Sequence, residues 1–459
     1  MVEKPKVGLL VLTCPTHKNA KVETGQNWVD VENINKVKSS LKTLNIDIHD
    51  FKEVFASFYE FDAVEDTIFN EKIDMLFIYV STWSWADQVS QFIRNINIPV
   101  FLYAMDDSKA WSIGGLAAIH GGLDELGIKH KIAYGDIKDE SIKNSIVNFA
   151  KAARVKNILK KSKYGAIGGT GMGIISGIVD SNQWLKDFGI LTGFIDQYSI
   201  VVEAQNVLEN EIDKCYKELE LEYKSLPELN TIFKNSIRFY IAMEKVIKQE
   251  RFNFTGLKCT FDLSDNYCSG CLAQSRLAKR SFVSACLNDA NGALSSYILS
   301  LINDSSPFFT ADINLLSKKD NMIKMVDDGT ASPALVKNPK EDAELKFQPT
   351  IEAKASGICT KLMAQPGIVT LMKMVRVDGK YVMHITEGEA IDVAKDKRES
   401  FFNECGYPNW PHALIKMKGD PEKFVQNLRS EYIHMTYGDY VGCLKDICYL
   451  FDIKINENY

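Results

Sequence analysis

The sequence predicts an α/β protein in three parts: two doubly wound α/β domains followed by a β-rich C-terminal domain. Three observations predict it. The 459 residues exceed what one hydrophobic core usually organises. Apolar runs of strand length alternate with helical spacing in the first part. After Pro307 the pattern shifts to short strands joined by tight turns.

The first strand is Val7-Gly8-Leu9-Leu10-Val11-Leu12, an uninterrupted apolar run that suits a strand covered on both faces of a parallel sheet. Residues 73–80 (IDMLFIYV) and 99–104 (PVFLYA) repeat it, separated by a helical stretch at 85–96, which gives a doubly wound domain over residues 1–155. The basic stretch at 151–163 (KAARVKNILKKSK) has helical spacing and reads as a solvated face. The strand YGAIG at 164–168 then opens a second α/β domain over 156–305. This domain holds a charged helical region at 202–251, a Cys-rich stretch and a helix at 291–301. The β-rich domain over 306–459 has strands at 308–313, 370–377, 381–386 and 414–418. It also has a hairpin turn at Val377-Asp378-Gly379-Lys380 and a closing helix at 439–451. No internal repeat or low-complexity tract is present.

With 46% of residues hydrophobic and 25% charged, the composition is that of an ordinary globular protein. A net charge of -6 with dispersed Lys and Arg offers no basic surface to a phosphate backbone, which argues against nucleic acid as a partner. No apolar run reaches the ~18 residues of a membrane span, and the apolar stretch after Met1-Val2-Glu3-Lys4-Pro5-Lys6 is too short for a signal peptide. The expectation is a cytoplasmic protein without a membrane partner. Its ten cysteines, kept reduced there, are read as packing groups, metal ligands or reactive thiols before any disulfide.

Three features carry possible chemistry. Gly168-Gly169-Thr170-Gly171-Met172-Gly173 follows a predicted strand and lets backbone N–H groups approach a polar ligand, but it lacks the Walker lysine and a tight strand-to-helix turn explains it better. Cys259, Cys268, Cys271 and Cys286 are spaced C-x8-C-x2-C-x14-C, a soft ligand set for zinc or an iron–sulfur cluster or, alternatively, four buried small hydrophobes. Asp312, near the end of a predicted strand, and His434 are isolated polar residues in the β-rich part. They suit a shared divalent cation, or else a turn cap and a histidine donating to a carbonyl.

Taken in order, residues 167–180 (IGGTGMGIISGIVD), 256–259 (GLKC), 285–294 (ACLNDANGAL), 309–313 (FTADI), Trp410-Pro411-His412 and 433–440 (IHMTYGDY) resemble the L-fucose/L-arabinose isomerase family. The resemblance implies aldose–ketose interconversion of a small or modified sugar. A manganese-type divalent ion would be held by a glutamate, an aspartate and a histidine, and a proton would pass between adjacent carbons through an enediol. Carried over, the metal aspartate falls on Asp312, also the expected proton carrier, and the metal histidine on His434. Trp83 is the candidate aromatic over the substrate, with Met172 and Lys258 as further substrate-binding candidates. The chain departs from the pattern at the glutamate, where Leu287 stands. Asp289, two residues on, is the nearest carboxylate for a catalytic role. Two other readings follow from that departure: the four cysteines hold an iron–sulfur cluster or zinc for different chemistry, or the protein binds sugar or scaffolds without catalysis. The resemblance also implies a homo-oligomer, trimeric or hexameric.

Overall fold

The computed structural model describes residues 3–457 apart from 305, 328 and 349–355. The chain divides into two compact units, one of residues up to 158 with 442–452, the other of 159–441 with 453 onward.

The N-terminal unit is built on five parallel strands, β1 (Lys6–Leu12), β2 (Asp47–Phe55), β3 (Met75–Val80), β4 (Val100–Ala104) and β5 (His130–Tyr134), ordered β2-β1-β3-β4-β5. This is a doubly wound order, as the sequence predicts. β3 and β4 are buried along their whole length, because helices cover both faces. The predicted helix at 85–96 is Ala86–Ile96, and its Phe92 stacks on Phe61 at 4.5 Å between centroids. The closing helix, Val441–Phe451, differs from expectation. From Gly442 on it belongs to this unit. Lys131 donates to both oxygens of the buried Asp446 at 2.7 and 2.8 Å, and Tyr449 Oη donates to the His130 carbonyl at 2.9 Å.

The second unit opens with a four-stranded parallel sheet of β6 (Lys163–Ile167), β7 (Leu191–Ile195), β8 (Phe254–Leu257) and β9 (Ser284–Cys286), ordered β7-β6-β8-β9. The charged region at 202–251 is not one helix. It is divided among Gln197–Gln205, Glu209–Glu222 and Thr231–Glu250. Pro227 interrupts the helical pattern, and the Asn230 side chain accepts from Phe233 N to cap the last of the three.

The β-rich part comprises β10 (Phe308–Ser317), β11 (Met322–Val326), the pair β12 (Ala343–Phe347) and β13 (Ile358–Leu362), and then β14 (Gly367–Val377), β15 (Lys380–Ala390), β16 (His412–Met417), β17 (Tyr432–Tyr437) and β18 (Lys454–Glu457). The order β14-β17-β10-β11-β16-β15 closes through a β14–β15 pairing into a barrel, with β18 added outside on β15. The β14–β15 turn takes the predicted form: Val377 pairs with Lys380, and Asp378 and Gly379 have φ of 51° and 73°. Two positive φ values make a turn whose twist matches the strands.

Residues 156–305 and 306–459, expected as separate domains, share one core. A continuous apolar cluster runs from Ile167, Phe239, Leu257 and Leu272 to Phe309, Leu371 and Met435. The joint is the helix Ala290–Ile302, buried on nearly every side because it contacts β8 and β9 as well as β10, β14 and β17. Its small residues (ANGALSS) allow close approach on all faces.

Two predictions follow from this packing. A Cβ on Gly256 in β8 would collide with Tyr164 Oη and Asn288 Oδ1. Gly256→Ala is expected to cost about 1–3 kcal/mol, read as a lower urea midpoint at unchanged slope. His412 in β16 is fully buried; its Nδ1–H donates to the Trp410 carbonyl at 2.8 Å, and Cys405 Sγ lies 3.2 Å from Nε2. Burial pushes its pKa down to about 4, against about 6.5 when unfolded. The folded state therefore resists a proton that the unfolded state takes up. This stability is complete above about pH 6.5 and falls as the pH drops towards 4. His412→Gln should flatten that part of the stability–pH curve.

Candidate functional site

The site grows from the N-terminus of the Ala290–Ile302 helix. After β9 the chain turns sharply through Leu287 and Asn288, both left-handed at φ 53° and 55°. Asparagine tolerates this conformation, but for leucine it costs roughly 1–2 kcal/mol. The surroundings hold the turn: Leu287 packs with Cys286, Tyr432 and Ile174, while Asn288 Oδ1 accepts from Tyr164 Oη at 2.7 Å. Asp289 then caps the helix, its Oδ1 accepting from Gly292 N at 2.9 Å.

The second oxygen of Asp289 pairs with the ammonium of Lys373 on β14, and both side chains are only 2% exposed. Lys373 Nζ also lies 3.4 Å from Nε2 of His434 on β17, a residue with no exposed surface. The other ring nitrogen of His434, Nδ1, is 2.8 Å from Ser296 Oγ and 2.9 Å from Thr310 Oγ1. An ammonium has donors and no lone pair, so Nε2 accepts and the imidazole proton sits on Nδ1, donating to the two hydroxyls. Burial, and then the charge of Lys373, hold His434 well below its usual pKa. It is a neutral imidazole.

The glycine-rich loop covers this centre. Gly171 lies against Leu287 and Gly177 against Asp289, so closely that a Cβ at either would stand 3.0 Å from its neighbour. Asn291 Nδ2 donates to the Ser176 carbonyl at 2.6 Å. Met172 is on the outer side of the loop, 60% exposed. Lys258 is ion-paired with Asp262, and its carbonyl accepts from Gln197 Nε2 at 2.7 Å. Lys258, Asp262 and Gln197, together with Gly168, Phe194 and Asp196, line an open cleft of about 480 Å³. Asp312 is half-buried in the body of β10, opposite Tyr432, and does not cap a turn. Strand alternation puts it on the same face as Thr310. Trp83 belongs to the N-terminal unit, where it is 41% exposed.

The structure thus brings together Asp289, His434 and the glycine loop. It adds Lys373, Ser296 and Thr310, which sequence reasoning missed. A signal for Lys373 existed: it is the lone charge within the apolar strand segment Thr370-Leu371-Met372-Lys373-Met374-Val375.

The residues do not fit a divalent cation at His434. Both ring nitrogens are engaged, and an ion on Nε2 would share the site with the buried ammonium. Repulsion between charges of two and one at 3–4 Å is on the order of 10 kcal/mol at an effective dielectric of about 20. Among the described residues the cysteines form no cluster of three ligand atoms. Cys259, Cys268, Cys271 and Cys286 are all buried thiols, and burial, then the neighbouring Cys259, push the Cys268 thiol up. Among the described residues, the set that brings three ligand atoms within 4.8 Å of one another is His120, Asp124 and His130 in the N-terminal unit. None of the four cysteines belongs to it. No helix is long and apolar enough to cross a membrane among the described residues.

Residues 328–458 match the family model described as L-fucose isomerase, C-terminal domain, which supports an L-fucose isomerase-like assignment. No curated protein matches the chain. Among solved structures, the chain is similar to an ABC transporter periplasmic solute-binding protein from Actinobacillus succinogenes 130z with bound D-allose. Identity is 15% over 65% of this chain and 92% of that one, with a TM-score of 0.18. A periplasmic sugar-binding protein of an ABC sugar transporter from Legionella pneumophila matches at 11% identity, over 65% and 93%, with a TM-score of 0.15.

Removing one partner of the buried pair leaves the other charge uncompensated. Lys373→Met is expected to cost about 3–5 kcal/mol. Adding Asp289→Asn, which keeps the helix cap, should recover much of that loss. A double-mutant cycle in urea checks it; additive losses would show that the two side chains do not interact.

Proposed function

We propose, for a chain whose C-terminal region is L-fucose isomerase-like, that the protein interconverts the aldose and ketose forms of a small or modified sugar. The observation that carries this reading is the convergence of Asp289, Lys373 and His434 under the glycine loop, within the unit that holds residues 328–458. Isomerisation moves one hydrogen between neighbouring carbons and one proton between their two oxygens. A carboxylate takes the proton from the carbon beside the carbonyl, an enediol forms, and the proton returns to the former carbonyl carbon. Asp312, half-buried on β10 beside Tyr432, is the proposed proton carrier. Asp289 and His434 are positioning residues in this scheme, one fixing the helix end and the other the hydroxyls of Ser296 and Thr310. The reading extends to a homo-oligomer, trimeric or hexameric, on the strength of the resemblance alone, and to a cytoplasmic location on the sequence pattern.

One observation favours a second reading, sugar binding without turnover: Asp289 and Lys373 are 2% exposed and His434 is closed off entirely. The test is incubation with a panel of aldopentoses, aldohexoses and 6-deoxyaldoses in heavy water. It reads ketose by chromatography and deuterium at the two reacting carbons by mass spectrometry. Turnover with deuterium incorporation is expected, and Asp312→Asn should lower kcat by about 10²–10⁴-fold with little change in KM. An unchanged kcat in that variant would remove Asp312 from the mechanism. A sugar that binds without ketose or deuterium appearing would establish the second reading.

A further inference from the structure

An enediol forms more readily when a hydrogen-bond donor or positive charge faces the sugar oxygen as the neighbouring carbon loses its proton. We infer that the Lys373 ammonium fills the place of the divalent cation at this centre, so that His434 and Asp289 hold a lysine instead of a metal ion.

Three observations carry the inference. Lys373 Nζ already has the partners a small cation would take, a carboxylate oxygen of Asp289 and the Nε2 lone pair of a neutral imidazole at 3.4 Å. The buried groups also balance: the Asp289 carboxylate, the Lys373 ammonium and the neutral His434 ring sum to zero, and a divalent ion added there would leave a net positive charge even with the half-buried Asp312 carboxylate counted. Finally, the position before Asn288 offers no ligand. Leu287 fills it with hydrocarbon packed on Cys286 and Tyr432, and the Tyr432 ring centroid stands 6.0 Å from Lys373 Nζ. Asp289 and His434 use two of the three N–H bonds of the ammonium, which leaves one for a substrate oxygen. In the reaction this N–H faces the oxygen that becomes anionic; no bond forms to nitrogen, and the carbon-bound proton travels by the carboxylate. The catalytic part of the inference rests on the isomerase reading, whereas the occupancy of the cation position does not.

The experiment measures manganese binding by loss of the free Mn²⁺ EPR signal on the full chain, comparing wild type with Lys373→Ala, His434→Ala and the double variant. Any binding by His120, Asp124 and His130 is common to all four and cancels. Wild type and His434→Ala are expected to bind alike. Lys373→Ala should gain a manganese site about 10–100-fold tighter than any wild-type binding at this centre, lost again in the double variant. Stoichiometric manganese on the wild type that disappears in His434→Ala overturns the inference, and this comparison stands even if Lys373→Ala fails to fold. A folded Lys373→Ala that gains nothing also overturns it. If manganese is gained but no aldose is turned over, the isomerase reading fails and the cation replacement remains. Where turnover is found, it should persist undiminished in EDTA.

Discussion

The ion pair between Asp289 and Lys373 ties the parallel sheet and the barrel into one unit. Taking a carboxylate and an ammonium out of water costs several kcal/mol each, and their attraction offsets this when further hydrogen bonds match most of the remaining donors and lone pairs. Here Asp289 receives the Gly292 N–H as well as the ammonium, and Lys373 reaches His434 Nε2 as its second partner. These contacts require the end of the Ala290–Ile302 helix, β14 and β17 to meet at one relative position. A hydrogen bond from Met374 N to Ser295 Oγ at 2.8 Å locks the same strand to the same helix. Apolar packing alone would tolerate small slippage between helix and barrel; a buried charge pair does not.

Around that pair the local conformation is costly where it serves the site. Leucine in a left-handed turn is unfavourable, yet the turn lets Asp289 cap the helix and aim its second oxygen at the barrel. The glycines of the covering loop have the opposite role. Their missing side chains let the backbone lie directly on Leu287 and Asp289, which excludes water from the ion pair. The exposed residues of that loop, Met172 and Ile175, face away from the centre. An apolar side chain at 287, a buried lysine at 373 and a neutral histidine at 434 form one consistent electrostatic arrangement.

The sequence by itself determined the local elements and the family likeness. Unbroken apolar runs placed β1, β3 and β4, the Asp-Gly dipeptide placed the β14–β15 hairpin, and the family likeness pointed to Asp289, Asp312 and His434. These features depend on residues close together in the chain, where propensity and turn geometry act directly. Tertiary structure decided what depends on residues far apart. Lys373 and Asp289 are 84 positions apart and Lys373 and His434 61, so no local pattern joins them, and a lone lysine in an apolar strand gains meaning only from the carboxylate it meets. The shared core and the placement of the last helix beside β5 have the same cause. They follow from which apolar faces cover one another, and those faces are brought together only when the whole chain has folded.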